Sequence, residues 1–141
     1  MLYGWIVRRQ VRAGFASLSA GTAEPVLRQF APEVLFWFSG EHALGGERHG
    51  VAEVRAWFEQ LYRAFPGISF AVRQVVVAGG PWDTRVATRF GVRAPRLDGS
   101  VYENEGVQLL RLRWGRIVED RLYEDTQALA SELAARGMVA S

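Results

Sequence analysis

Residues 115–125, GRIVEDRLYED, set four carboxylates and two arginines into a run whose apolar residues alternate as in a β-strand. Strand side chains alternate between two faces, so Asp120, Leu122 and Glu124 share one side and Glu119, Arg121 and Tyr123 the other. A carboxylate held against an apolar cavity has its pKa raised by desolvation, toward what a general acid or base needs, while a neighbouring arginine lowers it. Asp120 is the candidate for that chemistry, with an ion pair to Arg85 or Arg89 as its structural alternative. Asp125 suits a helix cap, and Glu124 is expected near the strand end, in reach of solvent.

Arg85 and Arg89 share a face of TRVATRFG with Ala87 and Gly91, where a planar fork of donors could clamp a carboxylate or enolate oxygen; the alternative is a solvated strand face, or pairing with Glu103 and Glu105. Asn104 and Gln108 are uncharged polar residues expected to face a cavity, where a buried amide bonds a ligand or closes a local network. Trp37 stands in the aromatic run FWF as core or pocket wall. His42 lies in the glycine-rich loop SGEHALGGERHG and could line a mouth. With His49, a lone second histidine, it makes no metal set at known spacing, so no metal is expected. The loop also lacks the lysine and the strand–loop–helix context of a phosphate site, and no cofactor is expected.

These residues need a frame. From Tyr3 to Leu18 the apolar residues Tyr3, Val7, Val11, Phe15 and Leu18 recur every three or four positions, which predicts an amphipathic helix. After the break SAGTAEP a short helix carries Val26, Leu27 and Phe30, and EVLFWF reads as a strand. Val51 to Phe65 predicts a third helix, stopped by FPG. Four strands follow, ISFAVRQVVVA, DTRVATRFGVRA, SVYENEGVQLLRLR and RIVEDRLY, separated by the turn sequences GGPW, PRLDG and WG. Asp125 or Thr126 caps a last helix, QALASELAAR. The order predicts one α+β domain over residues 1–141, a curved antiparallel sheet wrapped around amphipathic helices into a cone-shaped, barrel-like roll. The mouth of such a cone is a favoured small-molecule site.

Composition narrows the partners. The chain has 141 residues, 49% hydrophobic and 23% charged, ordinary for a globular domain. Its net charge is +2, and its basic residues are all arginines scattered among acids, so no nucleic-acid stripe is present. Cysteine is absent, in keeping with a reducing, cytoplasmic setting. The apolar start MLYGWIV precedes its arginines, the reverse of a signal peptide, and is too short to span a membrane, so no membrane partner is expected.

FSGEHALGGERHG, the helix VAEVRAWFEQLYRAFPGISF, and VYENEGVQLLRLRWGRIVEDRLYEDT with the closing helix resemble the nuclear transport factor two-like superfamily. Within it they are closest to the SnoaL-like and ketosteroid-isomerase-related branch. The resemblance implies that Tyr102, Asn104, Gly106, Gln108 and Leu110 line the cavity and that Glu103, Glu105, Val107 and Leu109 lie on the convex face. It aligns Asp120, Leu122 and Glu124 inward. The chain departs from the family's known catalytic sets: the isomerase base falls at Trp37, its tyrosine at Gly14 and its protonated acid at Gln108. The epoxide-hydrolase pattern keeps Arg85 but has Ala87 and Leu122 in place of its acids. The cyclase acid also falls at Leu122, two residues from Asp120.

The expected function is binding of a hydrophobic, oxygenated small molecule in a conical pocket. An isomerase, cyclase or hydrolase would use Asp120 with Arg85, and Trp37, His42, Arg89, Tyr102, Asn104, Gln108 and Leu122 would contact the ligand. The alternative is a non-catalytic ligand-binding or dimerisation module. Val107 and Leu109 on the convex face, with the family resemblance, imply a homodimer through that face.

Overall fold

The computed structural model describes residues 2–138. Helix α1 (Leu2–Ser19) buries Val7, Phe15 and Leu18 along one stripe, with its arginines Arg8, Arg9 and Arg12 exposed. Helix α2 (Glu24–Leu27) has Pro25 in its first turn, where a missing N–H costs nothing. It is shorter than the sequence pattern suggests, because Phe30 already begins strand β1 (Phe30–Phe38).

The glycine-rich segment is not all loop. Gly46–His49 pairs with β1 as a short edge strand, β2. Helix α3 (Val51–Ala64) follows, burying Val54, Trp57, Phe58, Leu61 and Ala64. Strands β3 (Ser69–Gly80), β4 (Asp83–Pro95), β5 (Val101–Arg113) and β6 (Arg116–Glu124) form the meander. Helix α4 (Thr126–Ala135) closes the described chain, and its N-cap is Asp125, whose carboxylate accepts from the Ala128 N–H at 3.0 Å.

The six strands form one sheet in the order β2-β1-β6-β5-β4-β3, open at both edges. It is mixed, because β1 runs parallel to β6 while the other neighbours are antiparallel. Register shifts between Val72 and Gln74 and between Arg111 and Leu112 let long strands bend. The sheet curls over the helices into an α+β cone.

The inner face is strongly aromatic. Phe36, Phe65 and Phe90 are fully buried, Phe15 packs on Phe90 at 5.3 Å between centroids, and Phe36 packs on Trp57 at 4.6 Å. Edge and tilted contacts of this kind add to the burial of large apolar surfaces. No helix among the described residues is long and apolar enough to cross a membrane.

Candidate functional site

Strand β6 carries the centre of the site. Its buried residues include Ile117, Asp120 and Leu122, so Asp120 faces the inside of the cone. On the neighbouring strand, Leu110 pairs with Asp120 and Gln108 pairs with Leu122. Gln108 and Asp120 are therefore diagonal neighbours on one face. Gln108 Nε2 donates to Asp120 Oδ2 at 3.3 Å, and Asp120 Oδ1 is buried with no hydrogen-bond partner.

Only 2% of Asp120 is accessible. Desolvation pushes its carboxyl up to about 7, against a smaller lowering by the Gln108 bond. No arginine offsets the burial. Such a carboxyl exchanges its proton in the neutral range, as a group that both takes and returns a proton must.

The cavity it faces is narrow and apolar. Its free volume is about 50 Å³, and its wall includes Phe15, Phe36, Trp57, Phe90 and Leu122. Such a volume holds a few waters at most, so a larger ligand must displace ring side chains. The polar side chains on the wall, besides Asp120 and Gln108, are Tyr102 and Glu124. A second void of about 40 Å³ meets Asp120 and Gln108 from the other side, beside Gln10 and Gly14 of α1 and Gln29.

Glu124 is the residue that strand reasoning underrated. Its own alternation with Asp120 and Leu122 pointed inward, and the structure puts it on the cavity wall, with desolvation pushing its carboxyl to about 7. Gly106 makes room for it. A Cβ at 106 would lie 2.7 Å from Glu124 Cγ and 2.8 Å from Phe90 Cζ. Tyr102 is 4% exposed and stacks on Phe65 at 5.5 Å, and burial raises its hydroxyl to about 12, against a smaller lowering by its Asn104 bond.

The structure thus brings together Tyr102, Gln108, Asp120 and Leu122. It separates the others. Arg85 and Arg89 point outward, because on β4 the buried set is Thr84, Val86, Thr88 and Phe90. Arg85 stands in an outer groove with Leu109, Arg111, Glu119 and Arg121, 3.8 Å from Asp83, and cannot cross the sheet to Asp120. The expected ion pair of Asp120 with either arginine does not form.

Trp37 is also outside. Phe36 and Phe38 take the inner positions, while Trp37 packs against Tyr123 at 5.1 Å and under the Arg121 guanidinium at 5.6 Å. His42 is buried, but in its own loop rather than on the cavity wall. Its Nδ1 accepts from the Leu44 N–H at 3.2 Å, so Nε2 carries the proton and donates to Ser39 O at 2.8 Å. Burial lowers its pKa, and the ring acts as a neutral tie. Asn104 closes a local network: it donates to Tyr102 Oη at 2.7 Å and to Asp125 O at 3.1 Å, and accepts from the Glu105 N–H at 2.7 Å. Among the described residues no group of three His, Asp or Glu is placed to hold a metal ion.

A cone of curved sheet over helices with a buried acid on its inner wall defines a class of small α+β pocket proteins. Residues 11–120 match the model of the SnoaL-like domain, and the chain belongs to that family. The fold is shared with a protein of unknown function from Burkholderia pseudomallei K96243, 21% identical, with 89% of this chain and 95% of that one covered at a TM-score of 0.77. TerC, crystallised with polyporic acid, is 20% identical, with 89% and 96% covered at 0.75. A protein from Jannaschia sp. CCS1, proposed to be a SnoaL-like polyketide cyclase, is 20% identical, with 90% and 90% covered at 0.71. Among the curated proteins, none matches the sequence.

Proposed function

We propose that this SnoaL-like protein binds an apolar organic molecule bearing carbonyl or hydroxyl oxygen in its cone and moves a proton on it with Asp120. The observation that carries the reading is Asp120 Oδ1, a buried and unpartnered oxygen of a carboxyl that ionises near neutral pH. Buried polar atoms are nearly always satisfied, and an exception inside a cavity invites a ligand. As a carboxylate, Asp120 takes a proton from the carbon beside a carbonyl. The C–H electron pair moves onto the carbonyl oxygen as an enolate. Asp120 then returns the proton at another atom of the same molecule, giving an isomer, or to the alkoxide formed when the enolate carbon closes a ring on a second carbonyl. Gln108 holds the other carboxyl oxygen so that Oδ1 faces the reacting carbon. The likeness in fold to a protein proposed to be a polyketide cyclase agrees with this class of reaction.

The test uses 2-tetralone, an apolar bicyclic ketone with exchangeable α-protons. The protein should accelerate their exchange for deuterium at neutral pD, and Asp120→Asn should remove the acceleration. A second reading, binding without turnover, draws on the narrow void of about 50 Å³. Binding of the ketone with no exchange above buffer would leave that reading in place of catalysis.

The same proposal gives the outer face of the sheet to a second copy of the chain. Val76, Val107, Leu109 and Tyr123 are exposed there, among charges of both signs that include Arg85, Arg121 and Glu119. Apolar residues among charges of both signs suit a face that pairs with its own copy across a two-fold axis. A monomer mass by light scattering at micromolar concentration would overturn the dimer without touching the pocket.

A further inference from the structure

Two polar ends share one apolar cavity. Asp120 and Glu124 lie on the same face of β6 with Leu122 between them, and all three are on the cavity wall. Four residues of strand separate the acids by about 13 Å between Cα positions. Gln108 bonds Asp120 at one end, and at the other the Tyr102 hydroxyl is tied through Asn104 to the backbone of Asp125, next to Glu124. Between the ends the wall is aromatic and aliphatic.

The Tyr102 end is built to donate. Asn104 Nδ2 donates into the phenolic oxygen at 2.7 Å, which uses an acceptor lone pair and leaves the phenolic proton free for another partner. The amide is itself fixed by Asp125 O and the Glu105 N–H, so the orientation is held by backbone at the start of α4. The bare backbone of Gly106 lets the Glu124 stem lie across β5 toward the cavity. No hydrogen bond within the described residues uses the Glu124 carboxyl, and desolvation raises its pKa toward neutrality, so its proton is available too.

We propose that Tyr102 and Glu124 form a second polar anchor, opposite Asp120, for the distal hydroxyl or carbonyl of an elongated, flat ligand oxygenated at both ends. The proposal rests on the reading of the cone as a small-molecule site and adds the substrate's shape and oxygen placement. A molecule with one oxygen function leaves one anchor empty. A molecule with two, separated by an apolar body, satisfies both while its rings replace the packed aromatic wall. A proton-transfer site that grips the far end of its substrate also fixes which carbon meets Asp120.

The test is calorimetric titration with three rigid probes: 4,4′-dihydroxybiphenyl, 4-hydroxybiphenyl and biphenyl. The wild type should bind the diol roughly tenfold more tightly than the mono-ol, the increment of one well-placed hydrogen bond in a dry site. In Tyr102→Phe with Glu124→Gln, the diol should bind no more tightly than the mono-ol binds the same variant. Glu124→Gln alone, which keeps the side-chain shape, should lose part of the advantage and guards against a misfolded double variant. A diol advantage that survives in a folded double variant overturns the proposal. So does a mono-ol that binds the wild type as tightly as the diol, and that result leaves the Asp120 site standing. If neither phenol binds the wild type, the small-molecule reading falls and this proposal falls with it.

Discussion

The two faces of β6 use the same kinds of residue to opposite ends. On the outer face Glu119 meets Arg121 at 2.6 Å, and the Arg121 guanidinium lies over Trp37. Each charge there has a partner and access to water. On the inner face Asp120 has one weak amide donor and an orphan oxygen, and Glu124 has no hydrogen-bond partner among the described residues. Alternate residues of one strand therefore meet either a screened, neutralised surface or the cavity, where Asp120 is sealed from water and Glu124, at the strand end, is half-buried. The inner carboxylates are the ones whose ionised forms cost the fold most, because burial there is not offset by an opposite charge.

Asp120→Asn should give the largest effect. Its folded pKa is raised, from an ordinary 3.8 to about 7, so the folded state holds a proton that the unfolded state has released between those values. Stability is then untouched by this group below about pH 4, falls as pH rises toward 7, and stays low above it. The full difference is on the order of 4 kcal/mol. Urea unfolding should show the variant clearly more stable than wild type at pH 8 and nearly equal at pH 4. Equal stability at both pH values would mean that Asp120 is not held dry, and the contrast between the faces would collapse.

Gly106→Ala comes next. The new Cβ would sit 2.6 Å from the Tyr123 carbonyl oxygen as well as against Glu124 and Phe90, and the backbone contact cannot rotate away. A loss of about 1–3 kcal/mol is expected. The Glu124 anchor should be lost with it, seen as loss of the diol advantage. An alanine accommodated without cost would show that the inner face is looser than its contacts indicate.

Gln108→Leu sharpens the comparison from inside. The amide serves Asp120 alone among hydrogen-bond partners in the described residues, and its bond holds the carboxyl's pKa down. Without it Asp120 should titrate still higher. The stability cost should be about 1 kcal/mol or less at pH 5, where Asp120 is protonated, and larger at pH 8. Nuclear magnetic resonance titration of the Asp120 carboxyl carbon checks the direction; a lowered pKa would refute the assigned role.

Alternation made much of this legible. Tyr102, Asn104, Gly106 and Leu110 of β5, and Asp120 and Leu122 of β6, are buried as their two-residue period and family resemblance imply. On β4 the period also holds, with Arg85, Ala87 and Arg89 on one face, but small polar Thr84 and Thr88 at inner positions leave the buried face unmarked by hydrophobicity. Arg85 and Arg89 are site candidates on chemistry alone, and the structure puts them on the solvated face, in a register that pairs Arg85 with Arg111 and Arg89 with Val107. Trp37 was unreadable for another reason: in FWF every residue is aromatic, so hydrophobicity carries no period. The parallel pairing of β1 with β6, and the edge strand β2 inside a glycine-rich run, depend on contacts distant in sequence. His42 needed the loop's own hydrogen bonds to show that it is a tie.

Glu119→Gln is the smallest effect and the control on all the rest. Glu119 and Arg121 are each about a third exposed, at 35% and 34% of side-chain area, so their short contact is made in a screened, hydrated setting. Pairs of this kind contribute about 0.5 kcal/mol or less, since ordering two side chains offsets most of the attraction. The glutamine keeps shape and can still accept from the guanidinium. Arg121 also retains its place over Trp37, so the outer layer should remain packed. Unfolding midpoints of the variant should match wild type within that margin at pH 5 and pH 8 alike, and should differ less as salt is raised. The informative outcome is the slope with pH. If Glu119→Gln gained stability between pH 5 and pH 8 as Asp120→Asn is expected to, neighbouring carboxylates on opposite faces would be behaving alike. The raised pKa would then belong to the strand as a whole, and Asp120 would lose its claim to be the acid set apart.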